Sequence, residues 1–211
     1  MPTASDPADR LVAAARQLLP ARGWRRLTLA EVAAEAGVSL LDAYQTFPTK
    51  ADLLAGFIVQ TDRHALAGGP AELTEPVRDR LFEVVMRRFD ALVPHKPAVA
   101  AVLRDLPADP LTALLVAPRF ATAMAWLLEA AGLSSSGLTG AVRVKGLALI
   151  YLTTLHTWLD DDSADMARTM AHLDQALRRS EMVVRLLPGM ADTAPATAPG
   201  PAAFPAPPES P

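Results

Sequence analysis

Tyr44, Gln45 and Thr46 stand side by side, and Thr49 and Lys50 follow within the next four residues. An amide and a hydroxyl can both donate and accept hydrogen bonds, which is what reading a base edge requires, while phenol, hydroxyl and ammonium groups can hold phosphate oxygens. Gln45 and Thr46 are therefore candidates for base contacts, and Tyr44, Thr49, Lys50, Arg25 and Arg26 for phosphate contacts. The bland alternative is that they solvate a small helical subdomain. Catalysis has no comparable set of residues. The chain has no cysteine and only 4 histidines, which removes thiol nucleophiles, thiolate metal sites and disulfides. No Gly-rich phosphate loop, Ser-His-Asp arrangement or metal-ligand spacing is present, so no enzyme activity, cofactor or metal is expected. The acidic run Asp160 to Asp162 lacks the spaced ligands of a calcium loop and reads as a helix cap.

A row of contact residues needs a rigid platform, and residues 28–47 have the pattern of one. Thr28 with Glu31, Ser39 with Asp42, and Thr49 with Asp52 each place a hydroxyl three residues before an acid, the spacing of a capping box. The expected helices run over 28–36, 39–46 and 49–66. Between the first two, Gly37 permits a left-handed turn, Val38 plugs the corner, and Ala33 is small where the helices approach. An amphipathic helix over 9–22 precedes them, with Gly23 as its cap and Trp24 packing the turn.

In this stretch the chain resembles the TetR family. The matching residues run from Thr28-Leu29-Ala30-Glu31-Val32-Ala33 through Gly37-Val38-Ser39 to Tyr44, Phe47, Pro48, Lys50 and Leu53-Leu54. The resemblance implies an all-α fold, with a three-helix helix-turn-helix domain followed by a larger helical ligand-binding and dimerisation domain. It implies a ligand-responsive transcriptional regulator, a repressor in the usual case, acting in the cytoplasm on a double-stranded DNA operator. On that pattern Tyr44 and the backbone at Thr49 and Lys50 meet phosphates, Thr28 caps its helix against the DNA backbone, and Ser39, Leu40, Gln45 and Thr46 complete the contact set. Leu40 departs from the family, which usually carries a basic residue there.

The charge balance limits what such a surface can do. With 20 Lys and Arg against 23 Asp and Glu the chain carries −3, so DNA contact must be local rather than a consequence of bulk charge. Residues 1–60 hold six basic groups (Arg10, Arg16, Arg22, Arg25, Arg26, Lys50) and six acidic ones. Weak or salt-sensitive DNA binding is the expectation.

Beyond residue 66 the pattern stays helical. Helices are expected over 74–93, over a short stretch ending by Leu106, from Asp109-Pro110 to Ala131 with a bend at Pro118, and over 138–159, the last buried on several sides. A final helix, capped by Asp160 to Ser163, runs to about Leu187. The expected domains are 1–66, 67–187 and a Pro- and Ala-rich tail over 188–211, where 8 of 24 residues are proline and too little apolar surface is available for order. No signal-peptide pattern opens the chain, and no run of about 18 uncharged apolar residues occurs. The chain is read as neither exported by that route nor membrane-spanning.

A small apolar ligand or lipid is expected in the second domain, lined by Phe120, Met124, Trp126, Tyr151, Leu155, His156 and Met170. Each of these has a plain core reading beside it. The C-terminal part is similar to the TetR-fold accessory proteins of ubiquinone biosynthesis. That similarity rests on Tyr151, Trp158, the Asp160 to Ser163 turn and the Leu173 helix, and it implies the alternative of a lipid- or isoprenoid-binding protein with a vestigial DNA-binding head. A homodimer through the last two helices is expected in either case, using Ala167, Met170, Ala171, Leu177 and Leu187.

Overall fold

The computed structural model describes residues 6–186, with side chains to 182. The 188–211 tail and Leu187 lie outside the described residues. Among those described there are nine α-helices and no strand. The first three, α1 (Pro7–Arg22), α2 (Leu29–Ala36) and α3 (Leu40–Thr46), form a small bundle. The fourth, α4 (Lys50–Ala67), leaves this bundle and packs on α5 (Val77–Leu92) and α7 (Pro110–Ala130). The short α6 (Lys96–Asp105) lies against α1, and α8 (Gly137–Leu159) lies against α7 and α9 (Ala167–Leu186).

Local chemistry explains most of the boundaries. Asp6 caps α1 by accepting from the Ala8 amide at 3.1 Å, with Pro7 in the first turn, where its missing N–H is no loss. The capping boxes at Thr28–Glu31 and Thr49–Asp52 are complete. The one expected at Ser39–Asp42 is half formed. The Ser39 hydroxyl accepts from the Asp42 amide at 3.1 Å, but the Asp42 carboxylate takes the Ser39 hydroxyl at 2.7 Å and not its backbone N–H. The cap φ angles account for this, since Thr28 and Thr49 are extended at −113° and −131° while Ser39 sits at −64°, turning its N–H away.

Two expectations need correction. The helix expected over 74–93 begins three residues later, at Val77, after Pro76 and with no side-chain cap. The last helix, expected to follow the Asp160 to Ser163 turn, starts only at Ala167, after Met166 in a left-handed conformation with φ 55°. The acidic turn still caps it from a distance. Asp161, 3% exposed, accepts from the Thr169 amide at 2.8 Å and hydroxyl at 2.7 Å, and the Ser163 hydroxyl accepts from the Ala167 amide at 3.0 Å. Burial alone would raise the Asp161 pKa, but the Ser163 and Thr169 hydrogen bonds outweigh it and hold the carboxyl far below the usual carboxylate range.

Helix α7 runs on through Pro118 to Ala130. By length and composition alone α7 and α8 could cross a membrane, yet each buries a face within the helical core: Val116, Met124, Leu127 and Leu128 from α7, and Leu147, Tyr151, Leu155 and Trp158 from α8. The expectation that α8 is buried on several sides is corrected. Leu138, Val142, Leu149 and Leu152 stand exposed on its surface.

Candidate functional site

Two surfaces have the chemistry of a site, and α4 joins them. The first is the outward face of α3. Gly37 ends α2 in the left-handed region, with φ 60° and ψ 37°, and Arg10 braces the turn from α1 by donating to the carbonyls of Ala36, at 2.7 Å, and Gly37. Ala43 is the buried contact of α3, leaving Leu40, Leu41 and Tyr44 exposed at 65%, 64% and 66%. Gln45 is exposed beside them. The Thr46 hydroxyl, half-buried, donates to the Asp42 carbonyl at 2.7 Å, so only its acceptor capacity faces outward. Thr28, Ser39 and Thr49 are exposed caps whose hydroxyls serve their own helices.

Cations that the sequence offered for this face are largely engaged elsewhere. The Lys50 ammonium donates to the Trp24 carbonyl at 2.6 Å and lies 4.7 Å from the centre of the Trp24 ring. Burial there lowers its pKa below the ordinary lysine value against the opposing pull of Asp109 and Asp105. The Lys50 side chain is therefore committed to this contact rather than to the outward face. Arg16 donates to His95 Nε2 at 3.1 Å and stacks over Phe57, and Arg22 pairs with Glu31 at 3.4 Å. Among the described residues, the side chains of Arg25 and Arg26 are exposed and hold no hydrogen bond or ion pair.

The small bundle is fastened to the rest of the chain by polar contacts around a buried tryptophan. Trp24 donates from Nε1 to Asp109 at 3.2 Å, the Arg25 amide donates to Asp105 at 3.2 Å, and Asp109 caps α7 through Thr112. The position of α3 is therefore set by α4 and by the junction of α6 and α7.

The second surface is a cavity of about 280 Å³ among α4, α5, α6, α7 and α8. Its wall includes Leu54, Phe57 and Ile58 from α4, Val102 and Leu103 from α6, and Val116 and Phe120 from α7. Of the residues expected from sequence, Phe120, Tyr151 and Leu155 line it. The other four do not. Met124 is fully buried in the core, Met170 is half-buried on α9, and Trp126, 58% exposed, and His156 face outward from α7 and α8. All but Met170 stand on α7 and α8, which line the cavity, but helical spacing could not say which face of each helix meets it.

The polar end of the cavity contains a charge that sequence reasoning missed. Arg88, 3% exposed, donates from Nε to Asp62 of α4 at 2.9 Å and from Nη1 to the Tyr151 hydroxyl, and its guanidinium lies 4.7 Å from the Tyr151 ring centre. Tyr151 is itself held between Phe89, stacked at 5.0 Å, and Phe120 at 5.7 Å. Burial raises the Tyr151 pKa, so the phenol keeps its proton. Burial also draws the Asp62 carboxyl upward, against the pull of Arg88. Burial opposes the charge on Arg88, but Tyr151 and Asp62 more than restore it. A signal was available: Arg88 falls midway between Val84 and Leu92 on the stripe that buries α5, a position where a lone charge is costly unless paired.

The comparisons agree with this architecture. The family model of bacterial regulatory proteins of the TetR family matches residues 11–56. A search of curated proteins finds no match. Among solved structures the chain is similar to a TetR transcriptional regulator from Nitrosomonas europaea, with 23% identity and TM-score 0.65, covering 84% of this chain and 99% of that one. A TetR regulator from Rhodococcus sp. RHA1 follows at 22% identity and TM-score 0.58, covering 85% and 96%. A third, from Streptomyces coelicolor, has 21% identity and TM-score 0.56, covering 87% and 82%. These identities speak for the fold, and the match over α1 to α4 speaks for the domain. Residues 11–56 carry the N-terminal domain of the TetR family of bacterial regulatory proteins, and the chain as a whole has the all-α fold of the solved TetR-family regulators.

Proposed function

We propose that this protein is a ligand-responsive regulator, a cytoplasmic repressor that binds an operator as a homodimer and releases it when an apolar molecule enters the cavity. One observation carries the reading. Helix α4 begins directly after α3, and the same helix supplies Leu54, Phe57, Ile58 and Thr61 to the cavity wall. A ligand that fits one placement of α4 better than another must shift the placement of α3, and DNA and ligand then oppose one another by the same coupling free energy.

On the DNA side, Tyr44, Arg25, Arg26 and the backbone at Thr49 and Lys50 hold phosphates, while Gln45 reads a base edge. Thr46 and the caps Thr28 and Ser39 support them. Leu40 and Leu41, exposed where a base contact would lie, suit the methyl group of thymine. The dimer is proposed through α8 and α9. Leu138, Val142 and Leu149 of α8 and Met182 of α9 are exposed apolar residues of the kind such an interface needs, and Ala167 and Ala171 of α9 are exposed as well. Leu177 has no part in it, being 2% exposed within its own chain. A lipid-carrier role with a vestigial head is less well supported, because the head keeps its Gly37 turn, its caps and an exposed Tyr44 and Gln45.

The test is a salt titration of binding to the DNA upstream of the protein's own coding sequence, against random DNA of equal length. Specific binding that falls steeply with salt is expected. Equal affinity for both DNAs, or none at low salt, would remove the regulator reading.

A further inference from the structure

The Arg88 guanidinium is an unusual wall for an apolar cavity, because its hydrogen-bonding capacity is not used up. Nε and Nη1 are bonded to Asp62 and Tyr151, but Nη2 donates to no acceptor among the described residues. The Tyr151 hydroxyl accepts from Arg88 and donates to no acceptor among them. Thr61, the other polar side chain on the wall, donates its hydroxyl to the Phe57 carbonyl at 3.0 Å and is satisfied. One end of the cavity thus presents a cationic N–H and a neutral O–H, each on a residue almost wholly out of solvent and each lacking an acceptor among the described residues. The rest of the wall is aliphatic or aromatic.

We propose that the cavity takes an acidic amphiphile, whose carboxylate is held by Arg88 and Tyr151 in competition with Asp62 and whose chain lies along α6 and α7. A carboxylate accepts from both donors at once, and charge-assisted hydrogen bonds of this kind are the strong ones away from water. An alcohol oxygen is a neutral acceptor and forgoes the charge assistance, and an amine would meet a like charge. The occupant deepens the ligand-responsive reading given above and rests on it. Asp62 belongs to α4 while Arg88 belongs to α5, so the incoming carboxylate draws on the cation that anchors α4. Size favours a small member of the class: a cavity of about 280 Å³ lies near the lower end of the roughly 300–1,000 Å³ of small-molecule pockets, which suits a medium-chain fatty acid.

Calorimetric titration of the full-length protein with octanoate and with 1-octanol tests this at near-neutral pH. Octanoate should bind about tenfold tighter than octanol. Asp62→Asn, which keeps an acceptor for Arg88 but removes the competing charge, should raise octanoate affinity several-fold and leave octanol unchanged. Tyr151→Phe should weaken octanoate alone. The double change Asp62→Leu with Arg88→Met removes both charges together and should abolish the preference for octanoate while octanol still binds, which also reports that the cavity has folded. Equal affinities in the unaltered protein, or no gain from Asp62→Asn, would overturn the acidic headgroup and leave the apolar cavity standing. If neither compound binds, the cavity reading falls and this inference with it.

Discussion

The head and the cavity treat charge in opposite ways. The head, whose partner would be a polyanion, has most of its cations engaged within the chain itself: Arg10 on a turn, Arg16 on His95 and Lys50 on Trp24, with Arg22 paired at the surface with Glu31. The cavity, whose walls are apolar, holds a guanidinium almost fully out of water. In the first region charges tie down the turns and junctions of a small bundle packed on Leu11, Val12, Leu19, Trp24, Leu27 and Val32, leaving the outward face of α3 to Leu40, Leu41, Tyr44 and Gln45. In the second, packing fixes the geometry, and the one ion pair is a polar feature a ligand can address. Removing charge should therefore cost most in the cavity, and adding charge should matter most in the head.

The sharpest way to break the contrast is Asp62→Ala, which leaves the Arg88 cation buried without its carboxylate. A loss of about 3–5 kcal/mol is expected for a broken buried pair, read from urea unfolding. Combining Asp62→Leu with Arg88→Met should recover most of it, since a pair replaced by apolar side chains of similar size is often neutral. If Asp62→Ala unfolds no more easily than the parent, the pair is not the anchor of α4 that its geometry indicates. In the head the opposite change applies. Leu40→Arg places a cation on the exposed start of α3 and should tighten binding to any DNA by about tenfold at low salt, with the salt slope steeper by about one. An unchanged slope would mean that Leu40 lies away from the phosphates.

How far each region was legible follows from the range of the forces that shape it. Thr28, Gly37, Ser39 and Thr49 act on residues within three or four positions, so the order of α1 to α4 could be read from the chain. Ser39 shows the limit even there, because its half-formed box depends on a φ that the sequence does not specify. Phe120, Tyr151 and Leu155 could be named for the cavity because aromatic and aliphatic residues on α7 and α8 had to face some core. Met124, Trp126, His156 and Met170 went astray because periodicity tells which residues share a face and not how far the opposing helix stands. Arg88 and Asp62 were visible as charges on buried stripes of α5 and α4, but their pairing is a tertiary fact.

Gly37 tests how much of the head's rigidity is local. Its φ of 60° lies where a side chain carries a steric penalty, so Gly37→Ala should cost about 1 kcal/mol of stability. Any Cβ there would also stand 3.4 Å from the Arg10 guanidinium that braces the turn. The loss should be accompanied by weaker DNA binding, since α2 and α3 keep their angle through this residue. Stability reduced with DNA affinity intact would place the turn outside the reading geometry.

The smallest effect lies between the two regions, at His95. Its ring meets Arg16 at 3.1 Å and the edge of Phe57, with His64 as a further like charge. Burial first, then Arg16 and His64, lower its pKa. The folded protein therefore holds His95 neutral where the unfolded chain would begin to protonate it, near the ordinary value of about 6.5. The stabilising contact is fully present above that value and is lost as pH falls through the lower, folded one. Stability of the parent should decline on acidification below about pH 6.5, and His95→Gln, which can still accept from Arg16 but cannot titrate, should flatten that part of the decline. The measurement is the urea midpoint of both proteins across this range. Parallel curves would mean that the contact between Arg16 and His95 contributes nothing to holding the head against the remaining helices, leaving that task to Trp24, Asp105 and Asp109.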